Sequence, residues 1–295
     1  MKYIYIIVIS VFSITTSISQ EKFWDLQECV DYALENNISI LQAQNTILSN
    51  DQDIIANKGN FLPSLSSNLN QSMSIGTVEL YPGEFADRTF NSSSVGFNLS
   101  QTVFNGFRNL NILRQSKVNL ERSENELNKI KDDVSLNVAN NYLNILFSKE
   151  NLALAKSQYE FSFKQLEQIK NLVEAGVQPQ ANIIDAEATL SLDEQNLTTA
   201  QNNYKLSLLN LSQILQIPLE GFNVVSIDVE VPSENLLYTD IKPVLNYALV
   251  NRNEIKVANN NIDLAKYNTK ISKSAYMPSV SFGYGFNASA NFSNL

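Results

Sequence analysis

The spacing of hydrophobic positions changes character several times along this chain. Ala33, Leu34, Ile38, Leu41, Ile47, Leu48 and Ile55 fall roughly at helical spacing and predict a helix running toward Pro63. Proline ends such a helix and pushes the residue before it toward extended geometry. Beyond Pro63 the period drops to two. Leu65, Leu69, Met73 and Ile75 lie on one side of a predicted strand, with Ser66, Asn68, Asn70, Ser72, Ser74 and Gly76 on the other. A second run sets Val95, Phe97, Leu99 and Val103 against Ser94, Gly96, Asn98, Ser100 and Thr102. After Pro278 a third alternates Val280, Phe282, Tyr284 and Phe286 with Ser279, Ser281, Gly283, Gly285 and Asn287. These uncharged runs of about 10–13 residues have the length of a tilted transmembrane strand. A soluble antiparallel sheet with one wet face shows the same alternation. A polar side made of Ser, Asn and Gly suits a lumen better than an exposed soluble surface. The polar stretch between the first two runs, Val78–Phe90, reads as an external loop.

From about Phe107 to Ala175 the chain has neither proline nor glycine. A helix of that extent is roughly 100 Å long at about 1.5 Å per residue. Its apolar stripe keeps a seven-residue beat through Val138, Ile145, Leu152, Tyr159, Leu166 and Val173, beside a mostly small row of Ser148, Ala155, Ser162 and Ile169. Gly176-Val177-Gln178-Pro179 is suited to a turn. Ile183, Leu190, Leu197, Tyr204 and Leu211 repeat the beat on a return helix from about Gln180 to Gln216. Two such helices joined by a short turn predict an antiparallel coiled-coil hairpin.

The chain also repeats itself. Shifted by 215 positions, Val30–Ser66 aligns without a gap on Leu245–Ser281, with about a third of the positions identical. Tyr32-Ala33-Leu34 meets Tyr247-Ala248-Leu249, and the helix-to-strand junction at Pro63 meets Pro278. The expected organisation is a signal peptide over residues 1–19 and a first repeat over 20–220, made of a helix, two barrel strands and the long hairpin. A linker over 221–239 and the start of a second repeat over 240–295, with a helix and a third strand, complete it.

Composition narrows the chemistry. There is no histidine, and Cys29 is the only cysteine, so most catalytic triads, most zinc sites and any internal disulfide are excluded. A net charge of −9 without a basic stripe argues against nucleic acid. Carboxylates such as Asp132-Asp133 and Asp185/Glu187 sit on charged helix faces and read as solvated surface, so no enzyme activity, cofactor or metal is expected. Lys2, the apolar run Tyr3–Ile14 and Ser17-Ile18-Ser19 form an export signal too short to span a bilayer. Past it no apolar 18-mer occurs, so membrane contact must come from strands or from lying on the surface.

This order of elements resembles the TolC family of outer-membrane efflux proteins. Leu26–Asn37 is similar to the family's opening helix, Phe61-Leu62-Pro63-Ser64-Leu65 to its helix-to-strand junction, and Val103–Arg108 to the exit into the long helix. Val173–Val177 with Asn182–Ala186 resembles the hairpin tip. The resemblance implies a mainly α fold with membrane β-strands, in which a homotrimer pools its strands into one 12-stranded barrel above periplasmic helices. It implies a passive duct for efflux or type I secretion in the outer membrane, reached through a periplasmic adaptor protein from an inner-membrane pump or ABC transporter. Gly176, Val177, Pro179 and Asp185 would then form the adaptor-docking tip, although Gly176 equally suits a turn for backbone reasons alone. Leu65, Leu69, Met73, Val95, Phe97, Leu99, Val280, Phe282, Tyr284 and Phe286 would face lipid. The sequence stops at Leu295, so the expectation is a truncated chain lacking a fourth strand, a second hairpin and the gate. The alternative is a periplasmic coiled-coil scaffold or adaptor without a membrane barrel, for which short, charged β-segments are expected.

Overall fold

A computed structural model describes residues 22–226 and 240–294. The expected signal peptide and most of the expected linker lie outside these residues. The chain divides into two compact units, one of Met1–Gln42 with Lys129–Thr239 and the other of Ala43–Asn128 with Asp240–Leu295.

In the first unit, β1 (Lys22–Trp24) pairs in parallel with β4 (Phe222–Val224), and α1 (Leu26–Asn36) follows β1. Asp25 opens α1 through a capping box: the Glu28 amide donates to Asp25 Oδ1 at 2.6 Å, and the Asp25 amide donates to Glu28 Oε2 at 3.2 Å. The core gathers Cys29 and Ala33 of α1, Val138, Tyr142 and Ile145 of α3 (Arg108–Glu174), and Leu208, Leu211 and Leu215 of α4 (Ala181–Leu215), under Phe222 and Val224. Trp24 closes one side, edge-on to Tyr32 at 5.2 Å.

The long helix and its return fall within two residues of their expected limits. The seven-residue stripes are their buried or half-buried sides. The seam is also polar in places, as at Asp193 and Ser162. Asp193 is buried and accepts from Ser162 Oγ at 2.5 Å and Gln158 Nε2 at 3.3 Å.

The second unit holds the three-stranded antiparallel sheet, ordered β2-β3-β5, of β2 (Ser64–Tyr81), β3 (Glu84–Asn105) and β5 (Ser279–Asn294). All three are longer than the pattern predicts, and the expected loop Val78–Phe90 is instead the top of a β-hairpin. The ladder continues to Tyr81↔Glu84 and turns on Pro82-Gly83. Pro82 pre-sets its own φ, and Gly83 takes φ 88°, the conformation that the third residue of a type II turn demands. Thr77 Oγ1 donates to Asp87 Oδ1 at 2.6 Å across the extended strands. A shift in register between Thr102 and Phe104 displaces Val103 from the apolar row expected of it, and Phe104 stands opposite Val280 instead.

The opening helix also differs from the single run expected. It stops at Asn36 and resumes as α2 (Ile38–Gly59). The second copy breaks in the same way, between α5 (Ile241–Asn251) and α6 (Asn253–Lys273). The two break points, Asn37 and Arg252, both extended, are 215 residues apart, as are the capping residues Asp25 and Asp240. The repeat is therefore one of backbone geometry and reaches further than its identical residues. Each helix also ends ahead of its proline. A turn over Gly59–Leu62 precedes Pro63, and a 3₁₀ turn over Ser274–Tyr276 precedes Pro278.

Candidate functional site

Register sorts the sheet into two unlike faces. Leu65 stands opposite Leu99, which stands opposite Tyr284; Leu69, Val95 and Ala288 form the next such row. Phe97 pairs with Phe286, Gln101 with Phe282, and Phe104 with Val280. Met73 shares this face through Asn91 with Phe292, a residue past the end of the predicted third run. All ten residues expected to face lipid therefore lie on one face, and none of them is buried. Eight of them are exposed, from 46% at Phe97 to 79% at Leu69, and Val95 and Leu99 on the central strand are half-buried. Ser67, Gln71, Asn91, Ser93 and Gln101 stand among the ten on the same face, which is therefore largely rather than wholly apolar. A soluble monomer rarely leaves so many large apolar side chains together in water. Along β2 the apolar face extends from Leu65 to Ile75, about 33 Å of strand. At the tilt usual in membrane barrels this is about 25 Å of height, the height of a lipid-facing band.

The opposite face is built from Ser, Asn and Gly, and its spacing is physical. Gly96 lies between Asn68 and Asn287, and Gly285 lies opposite Asn98. A Cβ at Gly96 would stand 2.5 Å from Asn68 Oδ1, and one at Gly285 3.0 Å from Asn98 Oδ1. The asparagine side chains thus lie across the glycines and make a hydrophilic surface of low relief. Charge in the three strands is confined to Glu79, Glu84, Asp87 and Arg88, at the hairpin end.

The helix end of the sheet is fastened by its junctions. Gly106 and Phe107 both take φ 65°, turning β3 directly into α3. A Cβ at Gly106 would meet the Ser274 carbonyl oxygen at 2.5 Å, so the turn is pressed against the segment leading into Pro278. Gln101 Nε2 donates to the Phe61 carbonyl at 3.1 Å and Asn109 Nδ2 to the Asn60 carbonyl at 3.2 Å, tying the turn before Pro63 to the same place. Pro63 and Pro278 each stand immediately before a strand.

The hairpin tip is geometrically simple. The Gly176 amide donates to Val173 O and the Val177 amide to Leu172 O, both at 2.9 Å, with Gly176 at φ 73°. This is a Schellman ending, which needs a left-handed residue at the glycine. Gly176, Val177, Pro179 and Asp185 are all exposed. Among the described residues no group of His, Cys, Asp or Glu is placed to hold a metal, and no helix is long and apolar enough to cross a membrane.

The family model for outer membrane efflux proteins matches residues 29–215. No curated protein matches the chain. Among solved structures, the chain is similar to CusC, described for the conformational changes that accompany folding and transmembrane channel formation. The identity is 17% and the TM-score 0.70, over 96% of this chain and 67% of that one. It is similar to the Campylobacter jejuni CmeC outer membrane channel at 19% identity and TM-score 0.72, covering 92% of this chain and 61% of that one. The open state of the Neisseria gonorrhoeae MtrE outer membrane channel gives 20% and 0.64, over 96% and 67%. This chain thus spans between 61% and 67% of the length of these three.

Proposed function

The chain belongs to the outer membrane efflux protein family, and from that premise we propose that it is a subunit of a passive outer-membrane duct. Its helices stand in the periplasm and its strands form part of the barrel wall. The observation that carries this reading is the sheet itself. One face is largely apolar, uncharged and mostly exposed over the height of a bilayer, and the other is neutral and hydrophilic. Lipid is the solvent that suits the first face, and water the second. Among the described residues β2 and β5 are open sheet edges. A membrane tolerates no unpaired backbone edge, so the reading includes closure with strands from further subunits in a homotrimer. Solutes pass along the Ser/Asn/Gly face without covalent chemistry. The exposed tip at Gly176, Val177, Pro179 and Asp185 meets a periplasmic adaptor, which couples the duct to an inner-membrane pump or ABC transporter. A periplasmic scaffold is disfavoured because such a protein would have to hide this apolar face.

An arginine on each face tests the assignment. Leu69→Arg places a charge at mid-depth of the proposed lipid face, at a cost of about 2–4 kcal/mol, and should prevent recovery of assembled protein from outer membranes. Asn70→Arg, one residue along and on the other face, should assemble normally. Equal recovery of both variants would refute the lipid-facing assignment.

A further inference from the structure

From the helix end outward, the polar face of the sheet consists of small neutral residues on all three strands, as far as Ser72, Ser92 and Asn291. It then changes abruptly. The next residue of β3 on that face is Phe90, which lies between Ser74 and Ser293, is 41% exposed, and is far larger than either neighbour. The one after it is Arg88, opposite Gly76, where no atom lies within 4 Å of a Cβ position. Arg88 is the only cation in the three strands. Its neighbour Asp87 belongs to the opposite face and accepts from Thr77. No ion pair of Arg88 occurs among the described residues, and its Nε is shielded without a hydrogen-bond partner. Glu84 shares the face but lies four residues further out. That is about 13 Å along the strand and beyond the screening length of about 8 Å at physiological salt, so it does not cancel the arginine.

We propose that Phe90 and Arg88 form a collar at the outer mouth of the duct, where the ring narrows the passage and the guanidinium favours anionic over cationic solutes. This rests on the reading of the sheet as a channel wall. The strands join the helices at one end of the sheet and turn at Pro82-Gly83 at the other, so the collar lies at the end away from the helices. A fixed charge in a narrow, low-dielectric passage acts on every permeating ion, whereas the serines and asparagines below it carry no net charge.

The test is single-channel recording on the native assembly purified from outer membranes and reconstituted in planar bilayers under a KCl gradient. Phe90→Ser should raise conductance by about 1.5-fold or more, and Arg88→Gln should lower the anion-to-cation permeability ratio by about twofold or more. Ser72→Ala, deeper on the same face, should change neither. A second measurement uses Arg88→Cys and Thr89→Cys, which place thiols on opposite faces. A bulky charged thiol reagent should reduce current through the first and leave the second unchanged; the native Cys29 is fully buried. Native conductance and selectivity in both Phe90→Ser and Arg88→Gln, with open channels present, would overturn the collar alone. A native assembly that conducts nothing would overturn the channel-wall reading, and the collar with it.

Discussion

Tyr142 shows how one side chain of the long helix secures the first unit. Its phenol stands under the end of the β1–β4 ladder, with its hydroxyl 2.6 Å from the Val225 carbonyl and 3.3 Å from that of Trp24. Burial, with lesser contributions from Cys29, Asp25 and Glu28, pushes its pKa from 10.0 up to about 12. The folded state therefore holds the proton more tightly than the unfolded one. Its contribution to stability is complete below pH 10 and is lost as pH rises toward about 12. Tyr142→Phe should cost about 1–3 kcal/mol at neutral pH and should remove this component of the alkaline loss, as read from denaturant midpoints across that range. Its spacing puts Tyr142 on the face of Val138 and Ile145, but the sequence could not show that the hydroxyl meets backbone carbonyls of two distant segments. Glycines were more legible in kind than in degree. Gly106 and Gly176 both have positive φ, but a side chain at 106 would strike backbone, whereas 176 faces open space.

At the level of elements, the helix seams of the second unit are polar where a coiled coil is usually apolar. Asn50 and Asn57, seven residues apart on α2, meet Ser123 and Ser116, seven apart on α3, at 2.6 and 2.7 Å. Asn119 adds a bond to Asn50 at 2.9 Å, and Asn125 reaches Asn260 of α6 at 3.0 Å. Buried amides with a single set of partners penalise any other register, since a slip leaves them unsatisfied. Asn50→Ala should cost about 1–3 kcal/mol. The cost should be smaller in a Ser123→Ala background, where one orphaned partner has already gone. A double-mutant cycle by thermal unfolding measures this coupling, and strict additivity would deny the pair its role. A hydrophobic count cannot see such a seam. The heptad stripes of the hairpin were visible because apolar burial leaves a periodic trace, while Asn and Ser at the same spacing look like solvated surface. Strand extent was misjudged for a related reason: the hairpin beyond Gly76 and before Ser94 lacks strict alternation, yet its backbone pairing continues to the turn.

For the whole molecule, function depends on surfaces that the single chain leaves uncovered. If the hairpin tip docks an adaptor, Val177→Asp should leave stability within about 0.5 kcal/mol, because the side chain is exposed, and should lower cellular efflux. Unchanged efflux at normal protein levels would dismiss the tip as a docking site. The order of elements, the repeat, the hairpin and the two unlike strand faces were all readable from sequence, because each is written in local periodicity and in proline and glycine positions. The tertiary structure alone decided the register that gathers three apolar strand faces into one surface. It decided the displacement of Val103 by Phe104, and the equivalent helix breaks at Asn37 and Arg252. It also placed Phe90 and Arg88 together on an otherwise small and neutral face. Those features depend on which residues stand opposite one another across strands, and pairing between distant segments leaves no period within either segment for a sequence to show.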